Sequence, residues 1–136
     1  MISFILNTGT ELIGKKWRAA VMWHLKDGPQ RFSEIKHNIP GISVKMLSEV
    51  LKEMESNDLL IRKQYPGIPV KVTYEIHKNA SEFIKANIIY TLKVGEYIIK
   101  NSKKLEVPKE LLAQLTAWAD NENKILLSSL PITPPV

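Results

Sequence analysis

Apolar side chains recur at intervals of three and four along most of this chain, and Gly and Pro cut them into short segments. From Leu12 to Lys26 the positions Ile13, Trp17, Ala20, Val21, His24 and Leu25 predict one amphipathic helix. Asp27-Gly28-Pro29 closes it, because Gly supplies a left-handed cap and Pro cannot continue the ladder. Phe32, Ile35 and Ile39 place a short second helix on one stripe, stopped by Pro40-Gly41. Ser43 then offers its hydroxyl to the free amides of a new first turn, with Ile42 positioned to staple onto Leu47. This third helix runs to about Ser56. Its inward stripe is Leu47, Val50, Leu51 and Met54, which turns Lys45, Glu49, Lys52 and Ser56 outward and leaves Met46 and Ser48 on the flanks.

Beyond Asn57-Asp58 the period changes. Leu59 to Tyr65 reads as a strand, Pro66-Gly67-Ile68-Pro69 as a turn, and Val70 to His77 as a second strand rich in β-branched residues. The hairpin carries a basic rim of Arg62, Lys63 and Lys71. Short helices followed by such a hairpin are the parts of a winged helix-turn-helix, so the expected class is mostly α with a small β-hairpin wing, α+β overall. From Asn79 or Ser81 to about Ile99 a further helix is predicted, with Phe83, Ile84, Ile88, Ile89, Leu92, Ile98 and Ile99 making it more apolar than a solvated monomer surface tolerates. Ser102 to Pro108 is a polar connector, and Leu111, Leu112, Leu115, Trp118, Ile125 and Leu126 mark a last helix. The resulting division is a winged domain over 1–78, a helical dimerisation extension over 79–130 and a Pro-rich tail over 131–136.

Charge sharpens this picture. The net charge is +5, and between Lys15 and Lys78 there are 12 Lys/Arg against 7 Asp/Glu, while the rest of the chain is balanced at 7 against 7. A basic surplus confined to the helix-turn-helix half points to phosphate neutralisation on double-stranded DNA. The absence of cysteine excludes disulfides, thiolate metal sites and thiol-based redox sensing. His24, His37 and His77 share no metal-binding spacing, and no His-Glu-x-x-His, Gly-rich phosphate loop or nucleophile elbow occurs, so neither an enzyme nor a cofactor is expected. The opening Met1-Ile2-Ser3-Phe4-Ile5-Leu6 is too short, and lacks the basic start, for a signal peptide, and no apolar run is long enough for a membrane span. A cytoplasmic location is the corresponding expectation.

Particular motifs carry a family likeness. Glu11-Leu12-Ile13-Gly14-Lys15-Lys16-Trp17 and Asp27-Gly28-Pro29-Gln30-Arg31-Phe32-Ser33-Glu34-Ile35 resemble the start of the HxlR family of bacterial and archaeal winged-helix regulators. Ile39-Pro40-Gly41-Ile42-Ser43-Val44-Lys45-Met46-Leu47 resembles its second turn and recognition helix. Tyr65-Pro66, Pro69, Val72 and Tyr74 resemble its wing, and Leu92 with Gly95-Glu96 its dimerisation helix. The resemblance covers about Glu11 to Tyr97 and implies a dimeric DNA-binding regulator. Some family members sense electrophiles or oxidants through an N-terminal cysteine, a switch this chain lacks.

Roles follow from the expected docking of the third helix in the major groove, which is wide enough to admit it. Lys45 suits guanine acceptors, Ser48 either donors or acceptors, and Glu49 the amino group of cytosine, with Val44 beside them at the helix start. Ser33 and Ser43 at helix N-termini, Arg31 and Lys52 are expected at phosphates, and Arg62, Lys63 and Lys71 at the backbone or in the minor groove. Phe83, Ile84, Ile88, Leu92, Leu115 and Trp118 are expected at a homodimer interface. An unidentified small-molecule effector between the C-terminal helices is compatible with this reading. The main alternative is a winged-helix module for protein–protein contact, in which the basic face is dispensable.

Overall fold

In the computed structural model, residues 1–129 are described; the Pro-rich tail expected at 131–136 lies outside them. The elements are α1 (Ile2–Ile13), α2 (Arg18–Leu25), α3 (Phe32–Asn38), α4 (Val44–Ser56), β1 (Leu60–Tyr65), β2 (Lys71–Ile76), a 3-10 turn (Lys78–Ala80), α5 (Ser81–Lys100) and α6 (Lys109–Ser129). The chain divides into two compact units, Met1–Asn87 and Ile88–Val136. The first holds α1 to β2 and the opening turns of α5, which are tied in where Asn87 donates from Nδ2 to the carbonyl of Ala19 on α2 at 3.2 Å.

The core of the first unit follows the predicted stripes. Val21, Met22 and Leu25 of α2, Ile35 of α3, and Leu47, Val50, Leu51 and Met54 of α4 are buried together with Ile39, Ile42, Leu59 and Leu60. The single helix expected over Leu12 to Lys26 is instead two. Gly14 ends α1 with its N–H on the Thr10 carbonyl, and a Cβ at this glycine would lie 2.9 Å from Thr10 backbone atoms. Arg18 sits buried at the break, its guanidinium donating to the carbonyls of Glu11 and Leu12 at the end of α1. Those carbonyls would otherwise lack intrahelical partners, so a tertiary contact fixes the helix end. Trp17, expected in the core, is half-buried, with the Lys16 ammonium 4.7 Å from its ring centroid.

The helix over Ile2–Ile13 was not anticipated, although Ile2, Ile5, Leu6 and Gly9 carry helical spacing. Ile2, Phe4, Ile5 and Leu6 are all exposed, so no core stripe announces it.

The wing is an antiparallel pair in the register Leu60↔Ile76, Arg62↔Tyr74 and Tyr65↔Lys71. Gln30 in the α2–α3 loop pairs with Tyr74 through two backbone hydrogen bonds of 2.9 and 2.8 Å, anchoring the far edge of β2 to the helical core. Asp58, at φ 56°, reverses the chain between α4 and β1, and the Leu59 amide returns to the Met54 carbonyl. In the second unit Gly95 on α5 lies so near Trp118 on α6 that a Cβ there would stand 3.0 Å from the indole ring. The side chains of Ile125 and Leu126, expected on the α6 stripe, lie outside the described residues.

Candidate nucleic-acid interface

The first unit presents three adjoining surfaces: the outer face of α4, the start of α3, and the wing. On α4 the division of faces is complete. Its inward stripe is buried, and Val44, Lys45, Ser48, Glu49 and Lys52 are all exposed. Ser43 caps this helix, its Oγ accepting from the Met46 amide at 3.0 Å. The cap leaves other first-turn amides available to an anion, and no acidic side chain occupies that turn.

The start of α3 is organised differently. Arg31 holds the N-cap position, and its backbone N–H donates to the Glu34 carboxylate at 3.0 Å. The capping is thus done by Glu34, and Ser33 is left exposed in the first turn. A carboxylate already placed there opposes a phosphate at Ser33, whereas the exposed Arg31 guanidinium favours one nearby. Ser33, Glu34, His37 and Asn38 line an open depression of about 320 Å³ along this helix.

The three wing cations are not equivalent. Lys63 Nζ lies 2.5 Å from Glu75 Oε1, and this hydrogen bond, with the charge of Glu75, raises the Lys63 pKa above its usual value. Lys63 is therefore already neutralised by its neighbour across the strands. Lys71 Nζ stands 5.4 Å over the Tyr65 ring, and Arg62 Nη1 makes a 3.4 Å contact with the neutral Gln64 Oε1. Both keep their charge available.

One residue that sequence reasoning passed over lies behind this surface. Arg18 Nη2 donates to Glu53 Oε2 at 2.8 Å, so the same buried guanidinium that holds the end of α1 also grips α4 one turn beyond Glu49. That hydrogen bond holds the Glu53 carboxyl below its ordinary pKa. No periodicity flags an inward-facing arginine on an apolar helix, and the Lys63–Glu75 pairing emerges only once the strand register is known.

The expected dimer residues divide by burial. Ile84, Ile88 and Leu92 are covered within the chain itself, Leu115 and Trp118 are half-buried, and Phe83 is exposed. The other large apolar side chains exposed on α5 are Ile89, Tyr90, Val94 and Tyr97. Among the described residues no group of three or more His, Cys, Asp or Glu is arranged to hold a metal ion, and no helix is long and apolar enough to cross a membrane.

A tri-helical core with its third helix outward, followed by an anchored hairpin, is a winged helix-turn-helix, the class that includes many transcriptional regulators. The family model described as HxlR-like helix-turn-helix matches residues 12–103, and the chain belongs to that family, one of regulators and not of enzymes. It is 45% identical over 71 residues to the HTH-type transcriptional regulator YodB of Bacillus subtilis, a match that takes in 52% of this chain and 63% of YodB. The chain thus spans less than two thirds of that relative's length. Among solved structures, a putative HTH-type transcriptional regulator ytcD superposes with a TM-score of 0.65 at 30% identity, covering 68% of this chain and 95% of that one. The redox regulator HypR in its oxidised form superposes with a TM-score of 0.63 at 27% identity, covering 68% and 94%. This chain has no cysteine.

Proposed function

We propose that this chain is a sequence-specific double-stranded DNA-binding transcriptional regulator that acts as a homodimer on a pseudo-palindromic operator, without cysteine redox sensing. The observation that carries this reading is the α4 surface: Lys45, Ser48, Glu49 and Lys52 all exposed on a helix whose opposite stripe is fully buried. A helix so held can enter the major groove and present a short polar row to base edges without giving up core contacts. The basic surplus between Lys15 and Lys78, and the relatives named as transcriptional regulators, support the same partner.

Lys45 is assigned to base reading, with Ser48 and Glu49 following it, and Val44 to apolar contact at the groove edge. Lys52, Arg31 and the Ser43 turn are assigned to phosphates. Two copies related by a two-fold axis would set their α4 helices about one helical turn apart, roughly 34 to 36 Å. Fluorescence anisotropy of the purified protein with duplexes recovered by genomic footprinting tests the reading. Specific binding should weaken steeply with salt as condensed counterions are released. Lys45→Ala should cost roughly 1 to 3 kcal/mol and relax preference at one base pair. Equal, weak affinity for every duplex would overturn the assignment. A uniform loss in Lys45→Ala would move that residue to the phosphates.

A further inference from the structure

The loop joining the wing strands combines the ordinary turn residues Pro66, Gly67 and Pro69 with two exposed apolar side chains, Ile68 and Val70. Pro66, Gly67, Ile68, Pro69 and Val70 are all exposed, and none carries a polar side chain. Turn positions not taken by Gly or Pro commonly carry Asn, Asp or Ser, whose side chains hydrogen-bond the local backbone, and not a β-branched apolar residue. Here Ile68 stands at 105% relative exposure and Val70 at 51%. Gly67 has φ +152°, a conformation that L side chains rarely adopt, so the backbone there is committed to a shape that leaves Ile68 at the apex. Beneath the apex, Lys71 is held over Tyr65 and Arg62 is free of any acidic partner among the described residues, while Lys63 is spent on Glu75.

An apolar tip on a cationic base suits one surface in particular. The minor groove of DNA has walls of apolar deoxyribose, a floor that in A·T pairs carries acceptors only, and a negative potential that deepens as A·T tracts narrow it. Guanine adds an amino group that stands up from that floor and meets an apolar side chain with an unpaired donor. Apolar side chains are a recurrent feature of proteins that enter this groove.

We propose that Ile68 is a specificity-determining residue, which enters the minor groove flanking each half-site and selects A·T over G·C there, while Arg62 and Lys71 hold the adjoining phosphates. The proposal rests on the duplex-binding reading above and extends it to base pairs that α4 does not reach.

The experiment uses the full chain and operator duplexes sharing one core sequence, with flanks of A·T, G·C or inosine·C pairs. Inosine lacks the guanine amino group but keeps its major-groove pattern, so it isolates the minor-groove floor. The unsubstituted protein should prefer A·T flanks over G·C by roughly fivefold to tenfold, about 1 kcal/mol or slightly more by the usual conversion, and should treat inosine·C flanks as it treats A·T. Ile68→Ser should abolish that preference and leave the dependence of affinity on salt unchanged, because no charge is removed. Lys71→Ala should do the reverse, keeping the flank preference and lowering the salt slope by about one. Both side chains are exposed, so neither change disturbs the core. If Ile68→Ser binds all three flanks as the unsubstituted protein does, or if inosine behaves as guanine, the assignment of Ile68 is overturned while duplex binding stands. Should Ile68→Ser leave DNA affinity intact but reduce self-association in sedimentation, the apex contacts a second copy instead. No specific binding by the unsubstituted protein would overturn both readings together.

Discussion

Ser43 is assigned two roles, one seen in the structure and one proposed. Its hydroxyl caps α4 at 3.0 Å from the Met46 amide, and under the proposed function the same turn receives a phosphate. Ser43→Ala should lower stability by about 1 kcal/mol through loss of the cap. Ser43→Asp should keep the cap and the stability yet weaken DNA binding, since a carboxylate would face phosphate. Thermal denaturation alongside anisotropy separates the two effects, and equal DNA affinity of Ser43→Asp and the unsubstituted protein would remove Ser43 from the phosphate contacts. Arg18 is a second case, buried and shared between the end of α1 and Glu53 on α4. Because its hydrogen bond depresses the Glu53 pKa in the folded state, the stabilisation is fully present above the ordinary glutamate value and is lost as pH falls through the depressed one. Urea midpoints followed from roughly pH 6 to pH 3 should therefore decline less steeply in Glu53→Gln than in the unsubstituted protein. Identical slopes would mean that the pair does not couple to folding.

At the scale of elements, burial explains why some were legible and others not. The stripe Leu47, Val50, Leu51 and Met54 specified α4 to its ends, because a helix with one apolar face has one way to bury it. Hairpin strands were equally readable from their β-branched content, but their register was not, and register decides which charges are free. Lys63 lies diagonally across from Glu75, whereas Lys71 pairs with Tyr65. The consequence is measurable in the salt dependence of binding. Lys71→Ala should reduce the slope of log affinity against log salt by about one, and Lys63→Ala should barely change it. Equal reductions would show that the Lys63–Glu75 pair opens on DNA.

On the scale of the whole molecule, a single α4 reads too short a half-site for useful specificity, and this motivates the homodimer. With Ile84, Ile88 and Leu92 covered within one chain, the apolar surface of α5 left for a partner is Phe83, Ile89, Tyr90, Val94 and Tyr97. Aromatic anchors of this kind carry much of the energy at protein interfaces. Analytical ultracentrifugation near micromolar concentration should find twice the monomer mass of 15.5 kDa. Tyr90→Glu combined with Tyr97→Glu should return the chain to that mass without unfolding it, as both residues are exposed. Sedimentation of the unsubstituted protein as a monomer would refute the dimer.

The sequence by itself determined α3, α4 and the two wing strands, the core-facing stripe of α4, the capping Ser43 and the outward row on that helix. All of these follow from local periodicity and turn chemistry, which act over a few residues and leave a direct trace in residue order. Only the tertiary structure decided that Leu12 to Lys26 breaks in two, since the break is held by Arg18 reaching back to α1 and across to α4. It alone decided that Lys63 is neutralised while Lys71 is not. The same holds for α5, where Ile84, Ile88 and Leu92 are buried within the chain and Phe83 is not. Each of these outcomes depends on which distant groups come within about 4 Å of one another, where charges and hydrogen bonds act. Spacing along the chain does not encode that proximity until the fold is formed.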